Sequence, residues 1–363
     1  MRSLWKELVF GKGAAMMAVR LGGIFGIGAL LASVAGCYLL SMPGVSAKDA
    51  VPPDAEENEK LAKELKADIE SICALGPRNL MSYDAMKKGA ELIEAKFHEA
   101  GLKTQRIDFW VKPSILSQVR GAKKEETKKQ LFTNIVAEVR GTERPEEIIV
   151  FGAHYDSAPM TGSVGADDNI SGVAATLALA REFAKAPAKR TIRFIAFANE
   201  EPPFFWTDDM GSRVCAKQSA AARERIVAMI TPECIGFYSD QPQSQKYPPP
   251  LDKLYPDTGN FIAFVGDTKS NALIKDCVRI FRESCQFPSE GASLPFAVPG
   301  VGWSDHWSYA KEGYPALMVT DTAPFRNPHY HTAGDTPDKL DYCKMAIVVD
   351  GLKKLVRELG DRT

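Results

Sequence analysis

The chain has 363 residues, 45% of them hydrophobic, and 45 basic side chains against 46 acidic ones leave a formal net charge of -1. That balance carries no electrostatic footprint for a polyanionic partner, so nucleic acid is set aside. Seven cysteines fall short of a disulfide framework, and the length suits one large domain or two small ones.

Residues 1–20 hold Arg2, Lys6, Lys12 and Arg20, after which residues 21–42, LGGIFGIGALLASVAGCYLLSM, carry no charge. A hydrocarbon layer needs about 20 such residues, and the basic flank orients the N-terminus toward the cytoplasm. A transmembrane anchor with an extracytoplasmic, periplasmic or extracellular, domain is the expectation. Two other fates stay open: lipidation at Cys37 after Val34-Ala35-Gly36, and secretion by cleavage after Ala47 in the small-x-small pattern Val45-Ser46-Ala47. The run exceeds the usual secretory core of about 7–15 residues, which favours retention. Outside the cytoplasm, Cys73, Cys215, Cys234, Cys277, Cys285 and Cys343 are free to pair, Cys277 with Cys285 most locally, or to stay as buried thiols.

Residues 43–58 mix proline with charge and read as a linker, and the folded domain is expected over 59–363. Residues 59–75 and 84–101 show apolar side chains at helical spacing, the second helix ending at Gly101 ahead of the strand-like KTQRIDFWV. The charge run 121–130 reads as a solvated loop. FTNIVAEVRG and EEIIVFGAHYD are β-branched-rich strands, followed by an alanine-rich helix over 171–186 and the strand TIRFIAFANE, a parallel βαβ unit. A helix near 211–225, strands over 226–231 and 259–265, and a helix over 268–284 continue the alternation. A loop to Trp303, the strand YPALMV and a helix from near Thr336 complete it. The pattern predicts a single three-layer α/β domain, a mixed, mostly parallel sheet with helices on both faces.

Four stretches at predicted strand ends concentrate metal-capable side chains: G-A-H-Y-D-S at 152–157, G-A-D-D-N-I-S-G at 165–172, N-E-E at 199–201 and Y-H-T-A-G-D-T at 330–336. His154 and Asp156 stand two apart on an extended segment, so Asp156 is placed to orient an imidazole that ligates a cation. Asp168 precedes a helix N-terminus and is placed to bridge two cations. Glu200 and Glu201 end an apolar strand, where adjacent carboxylates are costly unless a positive charge lies between them; one can ligate while the other takes a proton. Phe204, Phe205 and Trp206 follow closely enough to wall an apolar side-chain pocket, with core packing the plainer alternative.

These motifs resemble the co-catalytic zinc aminopeptidase family, which also holds glutamate carboxypeptidases, glutaminyl cyclases and transferrin-receptor ectodomains, over residues 59–360. The resemblance implies that His154, Asp168, Glu201, Glu233 and His331 hold two zinc ions, with Asp168 as the bridge because it stands two residues before Ser171-Gly172. It implies Glu200 as general base, in a zinc exopeptidase fold that hydrolyses peptides, most simply as an aminopeptidase. Glu233 departs from the aspartate usual in the family, and its longer arm puts the second zinc in question. Ser304-Asp305-His306-Trp307 resembles a family motif near the substrate pocket, which makes Asp305 and His306 candidates for supporting the metal ligands or contacting substrate, with structural packing as the alternative. Two alternatives remain: a single-zinc acyltransferase like the glutaminyl cyclases, and an inactive receptor-like ectodomain. The complete N-E-E and D-D-N-x-S-G stretches speak against the first, and the full set of ligand residues speaks against the second.

Overall fold

The computed structural model describes residues 39–111 and 129–362. The expected membrane anchor, up to residue 38, and the charge run up to residue 128 lie outside them, and among the described residues no helix is long and apolar enough to cross a membrane. From Met42 onward the described chain forms one α/β unit.

Helix α1 (Ala55–Cys73) begins ahead of Glu59 because Asp54 caps it, its carboxylate accepting from the amides of Glu56 and Glu57, while the acids Glu56 and Glu57 suit the positive end of the helix. Helix α2 (Tyr83–Glu99) leads into strand β1 (Thr104–Val111). Strands β2 (Gln130–Val139) and β3 (Arg144–His154) follow, then helix α3 (Gly172–Lys185), β4 (Arg190–Phe197), helix α4 (Gly211–Ala221) and β5 (Arg225–Glu233). The chain continues through β6 (Ile262–Gly266), α5 (Asn271–Ser284), β7 (Ser289–Ser293), α6 (His306–Lys311), β8 (Ala316–Thr320), the short α7 (Ala323–Arg326) and α8 (Tyr342–Asp361).

The strands form one eight-stranded sheet in the order β1-β2-β4-β3-β5-β8-β6-β7. Its centre, β4-β3-β5-β8, is parallel, and antiparallel pairings at β2–β4 and β6–β8 flank it. Side chains alternate faces as the pleat requires: Ile149, Phe151 and Ala153 of β3 pack with helices α1, α2, α3, α5 and α8, whereas Ile148 and Val150 pack with α4 and α6. Both faces of the parallel centre are therefore dry, which is why β3, β4 and β5 read as nearly continuous apolar runs.

Strand β7 and helix α6 have no legible signal in the sequence; Ser-Glu-Gly-Ala-Ser has no β-branched residue. Parallel pairing with β6 creates the strand, a case of tertiary context overriding propensity. The stretch expected to be linker is partly docked: Arg282 donates to the carbonyls of Pro43 and Gly44, and the Ser46 hydroxyl accepts from the Ser289 amide. Among the described residues no disulfide forms; Cys277 and Cys285 are buried thiols, and Cys343 is exposed.

Candidate metal centre

The parallel strands end side by side, and their ends carry the site. His154 is the last residue of β3, Glu233 the last of β5, and Glu200 and Glu201 lie just past β4, after Asn199 turns the chain with a positive φ of 59°. Asp168 sits in the turn Ala166–Ser171 that opens α3. Gly165 fixes that turn: its φ is +59°, and a Cβ there would lie 2.3 Å from the Asp168 carbonyl oxygen. His331 comes from the loop after α7, also at positive φ.

Two groups of ligand atoms result, His154 with Asp168 and Glu233, and Asp168 with Glu201 and His331, each within 4.8 Å of one another. Asp168 belongs to both. Its Oδ1 lies 3.3 Å from Nε2 of His154, and its Oδ2 lies 3.0 Å from Nε2 of His331. Glu233 Oε2 stands 3.4 Å from His154 Nε2, and Glu201 Oε2 stands 3.2 Å from His331 Nε2. Yet His154 Nε2, Asp168 Oδ2 and Glu201 Oε1 are buried and make no hydrogen bond to the protein. Atoms that approach so closely without hydrogen bonding converge on shared space between them, and a mixed set of imidazole and carboxylate donors is one that suits zinc. The residues therefore fit cations.

The electrostatics of these groups point the same way. Burial by itself pushes the Glu201 carboxyl up, the neighbouring Asp168 adds to this, and His331 offsets part, leaving it at about 8. Glu200 is pushed well above the usual carboxylate range, first by burial and then by Glu233 and Glu201. Burial would push the imidazole of His331 down, but Asp168 and Glu201 reverse that and raise it to about 10. Each shift favours more positive charge at the cluster.

A surrounding shell holds these groups. Asp156 faces Nδ1 of His154 at 3.4 Å and accepts from the amides of Glu200 and Glu201 at 3.1 and 3.0 Å, so one carboxylate orients the histidine and both glutamates. Glu233 Oε2 accepts from Ser304 Oγ at 2.7 Å and from Asn169 Nδ2 at 2.9 Å. Asp335 accepts from the amides of Asp167 and Asp168 at 2.8 and 3.2 Å, tying the His331 loop to the bridging aspartate. Arg78, wholly buried, donates to the carbonyls of Gly76, Tyr155 and Val164. Ser304, Asn169 and Asp335 lie inside the sequence motifs, though nothing there singles them out; Arg78 has no local signal.

The outer candidates divide. Asp305 is fully buried, and burial, relieved in part by the nearby His154, pushes its carboxyl up to about 7. His306 is turned away to the Val301 carbonyl oxygen, 2.7 Å from Nε2. Phe204 packs in the core edge-on to Phe132, so it walls no pocket. Phe205 stacks on Trp206, which leans on Trp307 and is partly exposed. A cavity beside the site lies elsewhere, about 810 Å³ including its mouth, bordered by Glu233 and Tyr330. Its floor is one face of β8-β6-β7, where Thr320, Ala263 and Glu290 stand in one register row and Met318, Val265 and Ala292 in the next. The pairs Tyr247–Tyr255 and Trp303–Phe325 form its walls.

The sequence profile of Peptidase family M28 matches residues 134–356. The Uncharacterized protein YfbL of Escherichia coli K12 is 37% identical over 324 residues, covering 86% of this chain and 92% of that protein. A Probable leucine aminopeptidase of Arthroderma otae is 29% identical over 243 residues, 63% of this chain and 58% of that protein. Among solved structures, the zinc aminopeptidase BSAP of Bacillus subtilis is similar with a TM-score of 0.61 at 16% identity, covering 83% of this chain and 95% of that one. The glutaminyl cyclase of Fimbriiglobus ruber is similar with a TM-score of 0.60 at 18% identity, covering 87% of this chain and 99% of that one. At such identities the two structures share the fold.

Proposed function

The chain belongs to peptidase family M28 and is a metallopeptidase of the zinc exopeptidase type, and from that premise we propose that it is an aminopeptidase using two zinc ions. The observation that carries this reading is the division of Asp168, one carboxylate oxygen toward His154 and Glu233 and the other toward His331 and Glu201. One ion would be held by His154, Asp168 and Glu233, the other by Asp168, Glu201 and His331. When bound, zinc supplies Lewis-acid polarisation of the scissile carbonyl and lowers the pKa of a water.

The protein does the rest. Glu200 Oε2 lies 3.9 Å from His154 Nε2, beside the first group of ligand atoms but belonging to neither, which suits it to accept the proton of the attacking water and return it to the leaving amine. Asp156 keeps Glu200 in reach through its amide and holds His154 with its Nε2 inward. The cavity beside Glu233 receives the side chain of the residue to be released, and its aromatic walls exclude water from that side.

Glu200→Gln tests the assignment: it keeps the shape and removes the base, so kcat should fall by at least about 100-fold with KM and zinc content little changed. Full activity in that variant removes Glu200 from the mechanism. The rival cyclase reading needs a single ion and predicts conversion of N-terminal glutaminyl peptides at one zinc per chain; the second group of ligand atoms, His331 with Glu201, counts against it.

A further inference from the structure

We propose that Glu290 makes the cavity beside Glu233 selective for a long cationic side chain, lysine or arginine, on the residue that is released. The inference rests on the aminopeptidase reading and names its substrate class.

The cavity is apolar along its length, and among its lining residues only Glu233 and Glu290 are charged. They occupy opposite ends of one register row, Glu233 beside Thr320, Thr320 beside Ala263 and Ala263 beside Glu290. Three steps between strands spaced about 4.8 Å set the two backbones about 14 Å apart. Glu233 belongs to the metal end. Glu290 therefore marks the far end, where the tip of a long side chain arrives, whereas a leucine stops short of it. The aliphatic stem of lysine, four carbon–carbon bonds of about 1.5 Å, matches the apolar middle.

Glu290 is half-buried, and its carboxylate makes no hydrogen bond or ion pair among the described residues. Its cationic neighbour Arg282 is committed elsewhere: Nε donates to Ser289 Oγ at 3.1 Å, Nη1 to Pro43 O at 2.9 Å and Gly44 O at 3.2 Å, and Nη2 to Ser289 O at 2.7 Å. The two nearby phenols are also engaged, Tyr255 with the Gly291 carbonyl at 2.8 Å and Tyr247 with the Pro256 carbonyl at 2.6 Å. Burial consequently pushes the Glu290 carboxyl up, with Arg282 only a partial offset. A carboxylate kept half-dry with no donor is one that gains from an ammonium or guanidinium group. The stacked pairs Tyr247–Tyr255 and Trp303–Phe325 line the same cavity.

The zinc-loaded full chain is assayed on lysyl, arginyl, leucyl and methionyl 4-nitroanilides, and binding of lysinamide is compared with that of norleucinamide, which has the stem without the charge. Lysyl and arginyl substrates should exceed leucyl by about tenfold or more in kcat/KM, and Glu290→Gln should collapse that ratio mainly through KM while Glu290→Asp retains part of it. A wild-type preference for leucyl or methionyl substrates overturns the proposal, as does an unchanged ratio in Glu290→Gln. If no aminoacyl substrate is cleaved but lysinamide still binds in preference to norleucinamide, and Glu290→Gln abolishes that preference, the aminopeptidase reading fails and the cavity assignment stands. Equal binding of the two amides overturns the assignment whatever the activity.

Discussion

Glu233→Asp is the most revealing substitution at the metal centre, because it supplies the residue usual in related enzymes at a position built for a longer arm. Removing one methylene withdraws the carboxylate by about 1.5 Å. In the native site Glu233 Oε2 lies 3.4 Å from His154 Nε2 while accepting from Ser304 and Asn169 at 2.7 and 2.9 Å. Metal–oxygen bonds tolerate about 0.2 Å, so the retreat exceeds what coordination absorbs, and it also breaks two hydrogen bonds to a charged group. Affinity for the zinc nearer His154 should fall by at least about 100-fold, or ~2.7 kcal/mol. The assay is zinc titration against a chromophoric chelator, with metal content and kcat/KM measured on the same samples. A double-mutant cycle locates the cause: Ser304→Ala should weaken zinc binding about tenfold in the wild type and hardly at all in the Glu233→Asp background. Unchanged zinc affinity in Glu233→Asp, or full additivity with Ser304→Ala, would refute the reasoning.

Chelation should lower thermal stability, since removing a ligand held at about 100 times its dissociation constant costs ~2.7 kcal/mol, or about 4 °C in Tm for a domain of this size; scanning fluorimetry with and without added zinc checks it, and a Tm indifferent to zinc would contradict a preformed two-ion site. Gly165→Ala puts a Cβ 2.3 Å from the Asp168 carbonyl oxygen at a φ of +59°, so it should cost about 2–4 kcal/mol in urea unfolding and weaken zinc binding with it. A Gly165→Ala protein of wild-type stability that loads zinc normally would show that the turn relaxes freely.

What is readable in the sequence is what local pattern encodes. Strand β3 announces itself through Ile148 to Phe151, and its polar end at His154 and Asp156 announces a site because a dry strand does not finish that way without reason. The Glu200-Glu201 pair is legible for the same cause. What cannot be read belongs to long-range assembly. Strand β7 exists only through its pairing with β6, so the floor of the cavity beside Glu233 and the position of Glu290 have no local signature. Arg78 serves carbonyls of Tyr155 and Val164, far along the chain, and nothing around it in sequence indicates that task. Proximity to Glu201 suggests a pocket for Phe204, but direction decides, and its ring points into the core.

The hydrogen bonds from the Asp167 and Asp168 amides to Asp335 join residues 168 and 167 positions apart. His331 and its anchor thus arrive only after all eight strands have been made. A nascent polypeptide can lay down the whole sheet and still own half a catalyst. On the two-ion reading proposed above, hydrolytic competence then waits until residues 331–335 have joined the strand ends they complete.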